Sequence, residues 1–242
     1  MKRFFSLSYR GVGSSMVCVL FGVAGIGCAV TPGSGILKSQ ERYVTTFHEI
    51  EASGELDLEV VQGSPQRVEV STDDNLLSSV ETDVHDDRLT IDTRGRLDPS
   101  GPIRVRIITP SVREVWLNGS SGAVIKRVVG QDFRLEASGS SRVNIEAMKL
   151  AGRLTIETHG SSSIRAQGES RELAIGSSGS SPIDTRELGA ASVVIDSSGS
   201  SDLLVFAKDA LTLDLRGSSS VGYLGEPKLK ATVSGSGKIR RL

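Results

Sequence analysis

The sequence predicts an all-β protein, a right-handed parallel β-helix (β-solenoid) with coils of about 19 residues and an irregular N-terminal β portion. Three observations carry this. First, a small polar corner recurs: SGSS at 138–141, 178–181 and 198–201, with near copies at 119–122, 159–162, 216–219 and 234–237. Its central glycines, Gly119, Gly139, Gly160, Gly179, Gly199, Gly217 and Gly235, are spaced 20, 21, 19, 20, 18 and 18 residues apart. Second, the flanks alternate. The positions four and six residues before and after each glycine number 28, and 25 of them are apolar in a chain that is 38% apolar overall. A period of two on both sides of a fixed hinge is strand, corner, strand, which no helix produces. Third, aromatic residues make up only 4% of the chain while glycine reaches 27 residues, a composition for cores of Val, Ile and Leu with small corners. One such unit cannot bury its apolar side alone, so copies must stack.

Taken in order along the chain, residues 1–27 read as an export signal of the lipoprotein kind. Lys2, Arg3 and Arg10 form its basic start, and the apolar MVCVLFGVAGIG beyond them is too short for a membrane span. The stretch ends at GIGCAV, which resembles a lipobox and makes Cys28 the lipid attachment site, although Gly25 stands where a lipobox usually has Leu. The alternative is ordinary secretion with cleavage after Ala29, where Gly27 and Ala29 fit a small-x-small site. By resemblance to other lipoproteins, Ala29 after the cysteine favours the outer membrane; simple cleavage leaves the chain periplasmic or secreted. Cys18 leaves with the signal, so no disulfide framework is available. Beyond the leader the chain has 25 basic against 29 acidic residues, which leaves no electrostatic footprint for nucleic acid.

Residues 28–43, polar with Pro32 and Gly33, read as a tether. Residues 44–118 form the N-terminal β portion. FHEIEASGELDLEV repeats the corner pattern around Gly54, then RVEVSTDDNLLSSVETDVHDDRLTIDTRG interrupts it as two strands flanking a short helical or turn segment at DDNLLSSV. IRVRIITPSVREVWL returns to strands, and residues 119–242 are the regular repeats. Glycine permits the backbone angles of a sharp corner, and serine can satisfy corner amides and carbonyls without bulk. The corner serines are therefore posts, not nucleophiles, since no base accompanies them.

The C-terminal VGYLGEPKLKATVSGSGKIRRL, with Tyr223, Gly225 and Pro227 followed by Ser234, Gly235, Ser236 and Gly237, resembles the close of the bacterial family called "putative auto-transporter adhesin, head GIN domain". The opening FHEIEASGELDLEVVQGSPQRVEVSTDDNLLSSVETDV resembles its entry strands, so the likeness spans roughly residues 44–242. It implies a β-helix of the pectin-lyase kind, an adhesive role, and no established catalytic residues. Several corners here read SGSS where the family more often has SGSGD, so the corner acids are missing.

The outward row three residues before each glycine reads Trp116, Glu136, Glu157, Gly176, Asp196, Asp214 and Thr232. Neighbouring coils lie about 4.8 Å apart. Glu136 is thus expected beside Glu157, and Asp196 beside Asp214. Such pairs suit a retaining glycosidase or a bridging Ca²⁺. The plainer reading is a solvated face with Arg134, Arg142 and Arg153 close enough to relieve repulsion, because no long loops wall off a cleft. Trp116 is either a sugar-stacking platform or packing against the irregular N-terminal strands. His48, His85 and His159 are scattered without metal-ligand spacing, and no cofactor motif is present, so neither a metal nor a cofactor is expected.

The function expected is a non-enzymatic binding, adhesion or structural module of the cell envelope, with a glycan or an envelope protein as partner and the membrane reached through the lipid. The alternatives are a polysaccharide-active enzyme using a pair such as Glu136 and Glu157, and a periplasmic signalling accessory whose deletion alters transcription without changing surface attachment. Lys238, Arg240 and Arg241 close the chain with no capping helix, either guarding the last edge or pairing it with another copy.

Overall fold

The computed structural model describes residues 30–242. The leader and Cys28 lie outside the described residues. From Val30 onward the regular structure is all strand, except for a single 3-10 turn at Leu77–Ser79.

The corners stack in register and in parallel: Gly54, Gly119, Gly139, Gly160, Gly179, Gly199, Gly217 and Gly235 pair successively. The chain is a β-solenoid. The strand before each corner contributes to a first sheet, and the strand after it to a second. At Ile145/Met148 and the equivalent point of other coils the register shifts, and the chain bends onto a short third side. Val128, Met148, Leu188 and Ala207 turn inward there.

Alternation fills the interior with aligned rows. Val115, Leu135, Ile156, Ile175, Ile195 and Leu213 form one, none more than 2% exposed. Each such side chain contributes about 1.5–3 kcal/mol of burial. The serine two residues after each glycine also points inward: Ser121, Ser141, Ser162, Ser181, Ser201 and Ser219 are all buried. Its hydroxyl works within the corner. Ser121 donates to the carbonyl of Gly54 at 3.0 Å, while Ser201 meets Ser177 Oγ at 2.7 Å and accepts from the amide of Ser181 at 3.2 Å. The residue directly after each glycine donates its amide to the glycine carbonyl one coil below, as Ser161 does to Gly139 at 2.7 Å.

Glycine is required at the hinge for two reasons, which Gly160 illustrates. Its φ is +106°, and a Cβ there would sit 2.6 Å from the Gly139 carbonyl oxygen. The left-handed angle strains any side chain, and the coil beneath leaves no room for one.

The stack begins earlier than residue 119. Glu49–Gly54 and Leu56–Gln62 already make a corner, and Glu114–Gly119 and Gly122–Gly130 lie directly on them. Between Gln62 and Glu114 the chain builds a cap. Arg88–Thr93 extends the first sheet in parallel, and Val80–His85 turns back on it through Asp86 and Asp87, both at positive φ as a two-residue hairpin requires. Ile103–Thr109 extends the second sheet, followed by antiparallel Arg67–Asp73. The segment read as helix or turn at DDNLLSSV is the 3-10 turn, flanked by the two strands expected there.

The described part of 28–43 is not the tether expected of it. Val30–Pro32 pairs with Arg96–Asp98, and Leu37–Arg42 pairs antiparallel with Arg67–Asp73. LKSQER lacks apolar alternation because this edge strand buries no face; the backbone ladder holds it. Asp73 secures the same segment. Its buried carboxylate accepts from the Gly35 amide at 2.7 Å and from the Ser100 amide and hydroxyl at 2.8 and 2.6 Å.

Candidate functional site

The outward row of the first sheet runs Glu51, Trp116, Glu136, Glu157, Gly176, Asp196, Asp214 and Thr232 on successive strands. The fold therefore brings together both expected carboxylate pairs, separated by Gly176. An arginine holds each pair. Arg134 donates through Nη2 to Glu157 at 2.8 Å and to Glu136 at 3.4 Å. Arg216 donates to Asp214 at 2.7 Å and lies 3.7 Å from Asp196. Its hydrogen bond to Asp214 raises the Arg216 pKa above its ordinary value, with the nearby Asp214 and Asp196 charges acting in the same direction.

Each arginine stands beside both carboxylates of its pair and offsets their charge. It also gives both carboxylates of a pair the same partner, on open sheet. Division into a general acid and a nucleophile requires environments that differ between the two. Among the described residues, no group of three or more His, Cys, Asp and Glu side chains could hold a metal ion.

Trp116 is half-buried, and the Arg88 guanidinium lies 3.9 Å from its ring centroid. Arg88, from the cap, also reaches Glu49 and Glu51, so the indole is packing that joins the cap to the first full coil. His48 bonds Asp87 at 2.6 Å, and His159 bonds Ser178 at 2.8 Å, each within its local framework.

A groove of about 550 Å³ lies on the second sheet, away from all of these. Its floor comes from the coil after Gly119. Gly122 stands between Asp57 and Arg142, and Val124 between Glu59 and Asn144, so a small and an apolar residue interrupt rows that are charged or polar on either side. Arg104, Arg106, Glu69 and Ser71 line the cap side, with Lys126 and Glu146 also contributing. Arg106 and Lys126 have carboxylates within 4 Å, Glu59 and Glu146 respectively. Arg104 and Arg142 form no ion pair among the described residues, and Asn144 Oδ1 is shielded from solvent without a hydrogen-bond partner.

The sequence carries the signal for this groove at the outward positions three and five residues after each corner glycine. Read across coils, those positions give Asp57, Gly122, Arg142 and Glu59, Val124, Asn144. The acids of the first sheet are the more conspicuous feature, and they lie elsewhere. A second open groove of about 840 Å³ follows the third corner, where Arg153 pairs with Glu172 at 2.6 Å.

The family model described as "Putative auto-transporter adhesin, head GIN domain" matches residues 46–227. The chain belongs to this family. Among solved structures, a putative adhesin of Bacteroides fragilis is similar at 20% identity and TM-score 0.83, covering 87% of this chain and 99% of its own. A protein of Parabacteroides distasonis described as a putative lipid binding protein is 20% identical with TM-score 0.74, covering 88% and 100%. A putative adhesin of the same species is 21% identical with TM-score 0.70 over the same shares. At these identities the likeness shows the solenoid of the head GIN domain. No curated protein matches the chain.

Proposed function

We propose that this head GIN domain chain is a non-enzymatic module of the cell envelope, carried on a lipid at Cys28, that binds a glycan in the groove of its second sheet. The observation that carries the reading is the mismatch of polar groups there. Elsewhere on the outer faces Arg134, Arg153, Arg165 and Arg216 each meet a carboxylate. By contrast Arg104 and Arg142, which form no ion pair among the described residues, and Asn144, whose Oδ1 has no hydrogen-bond partner, converge around one small apolar floor. Hydroxyl-rich rings need this mixture: donors on the rim, an acceptor, and a shallow apolar patch beneath. The open, flat sheet suits an extended polymer better than a buried small molecule. An outer-membrane position is what the leader supports, and it agrees with the family's adhesive name.

Residues 30–242, incubated with a panel of labelled polysaccharides and run on a sizing column, test this. Label travelling with the protein at unchanged length is the expected result, and Arg142→Ala together with Asn144→Ala should weaken it about tenfold or more. Label shifting to smaller sizes overturns the non-enzymatic reading and redirects attention to Glu136 and Glu157. No co-migration with any member of the panel overturns the glycan.

A further inference from the structure

The two ends of the first sheet are unlike. At the C-terminal end, Lys228–Gly235 pairs only with the strand below it among the described residues, and every residue of it is exposed. Its inward positions are apolar. Leu229 and Val233 are 45% and 43% exposed, whereas Leu211 and Leu215, their equivalents one coil earlier, are buried at 0% and 1%. Residues 228–242 contain Lys228, Lys230, Lys238, Arg240 and Arg241 and no acid.

At the other end the outermost strand is Val80–His85, which pairs only with Arg88–Thr93 among the described residues. Its outward positions are Glu81, Asp83 and His85, with Asp86 and Asp87 next at the turn. Glu81 already meets Arg94, Asp83 meets His85, and Asp87 meets His48 and Arg113, so a joining strand shares these acids with partners in the same copy. Its inward positions are Val80, Thr82 and Val84.

We infer that the chain associates head to tail, the basic strand Lys228–Gly235 of one copy joining the acidic strand Val80–His85 of the next to continue the sheet. The cap strand runs antiparallel to the stack, so the joint is antiparallel, and opposed residues share a face. The register that opposes Lys230 to Glu81 opposes Lys228 to Asp83 on the outside. On the inside it sets Leu229 against Thr82 and Ala231 against Val80. Charge decides the geometry. Two C-terminal ends would bring like-charged strands together, whereas head against tail brings opposite ones. Such a contact is heterologous and leaves a free end on each copy, so association is open-ended. In this register the next copy covers Leu229 and Ala231, while Val233 lies just beyond the end of the cap strand. The joint is independent of the glycan groove, which lies on the other sheet.

Sedimentation velocity of residues 30–242 over a range of concentrations is the test. The expected result is mass rising with concentration at about 0.02 M salt and falling back toward monomer at about 0.5 M. Lys228→Glu with Lys230→Glu, and separately Glu81→Lys with Asp83→Lys, should each lower association about tenfold or more. Mixing the two variants should restore it in a one-to-one ratio, since each supplies the end the other has lost; restoration also shows that both fold. A monomer under all conditions overturns the inference, as does association that the charge reversals leave unchanged.

Discussion

In the stack from Gly54 to Gly235 each coil repeats the contacts of the coil beneath, whereas the cap built between Gln62 and Glu114, with residues 30–42 on its edge, uses almost every contact once. A corner serine in the stack has a counterpart one coil above and below, so its hydrogen bonds are one rung of a ladder. Asp73 in the cap has no counterpart; it is the one side chain that accepts from both the Gly35 and the Ser100 segments, beside the backbone pairing of Val30–Pro32 with Arg96–Asp98. Repetition spreads stability over many equivalent groups, and irregular structure concentrates it. The corner glycine is the exception within the stack, because there repetition itself imposes the constraint.

The largest effect is expected at that corner. Gly160→Ala meets both a positive φ and the Gly139 carbonyl, a backbone atom locked by the coil beneath, and should cost about 4 kcal/mol or more in denaturant unfolding. Gly35 in the cap makes the comparison sharp. Its φ is +79°, but a Cβ there meets nothing within 4 Å, so Gly35→Ala should carry only backbone strain of about 1–2 kcal/mol. Equal costs at the two positions would mean that close stacking adds nothing to the demand for glycine.

The same contrast explains what was legible in the sequence. The coils could be read because a period of two and a period near 19–20 reinforce one another. Both carboxylate pairs came from the repeat, since equivalent positions must become neighbours. The cap could not be read to that depth. Leu37–Arg42 makes its ladder through backbone groups on an exposed edge, so its side chains carry no apolar alternation. Asp73 pairs with residues tens of positions away, and no local spacing announces that. Which arginine would hold each pair depended on side-chain reach, and the answer differs: Arg134 precedes its carboxylate by two residues, while Arg216 comes two after its own.

The intermediate effect belongs to Asp73. The Ser100 hydroxyl and then the Ser100 amide lower its pKa below the ordinary 3.8, with the Gly35 amide adding to them and burial opposing. A lowered folded-state pKa gives stability that is fully present above the ordinary value and is lost as pH falls through the folded one. Protection factors of the amides at residues 33–42, taken against their intrinsic exchange rates, should therefore fall only below about pH 4. Asp73→Asn should expose these amides already at neutral pH and abolish that acid-dependent step, while protection of the coils beyond Gly139 stays close to the parent's. Coils that loosen together with the cap would show one cooperative unit instead of two of unequal strength.

The smallest effect is expected within the ladder, at Ser201. Its hydroxyl contacts Ser177 Oγ and accepts from the Ser181 amide, while the Ser201 amide donates to Ser219. Ser201→Ala removes two of these interactions and keeps the third, a backbone donation the mutation does not touch. The cavity left by one oxygen is slight, and Ser177 retains Thr158 Oγ1 at 3.0 Å as a partner. The expected cost is about 1–2 kcal/mol, because Ser177 keeps a partner while the buried Ser181 amide loses its acceptor. Ser201→Val is the sharper probe, because its larger side chain must also displace the serines above and below. If the alanine variant costs as much as Gly160→Ala, the ladder is a cooperative network and not a set of interchangeable rungs, and the distributed character claimed for the stack fails at its centre.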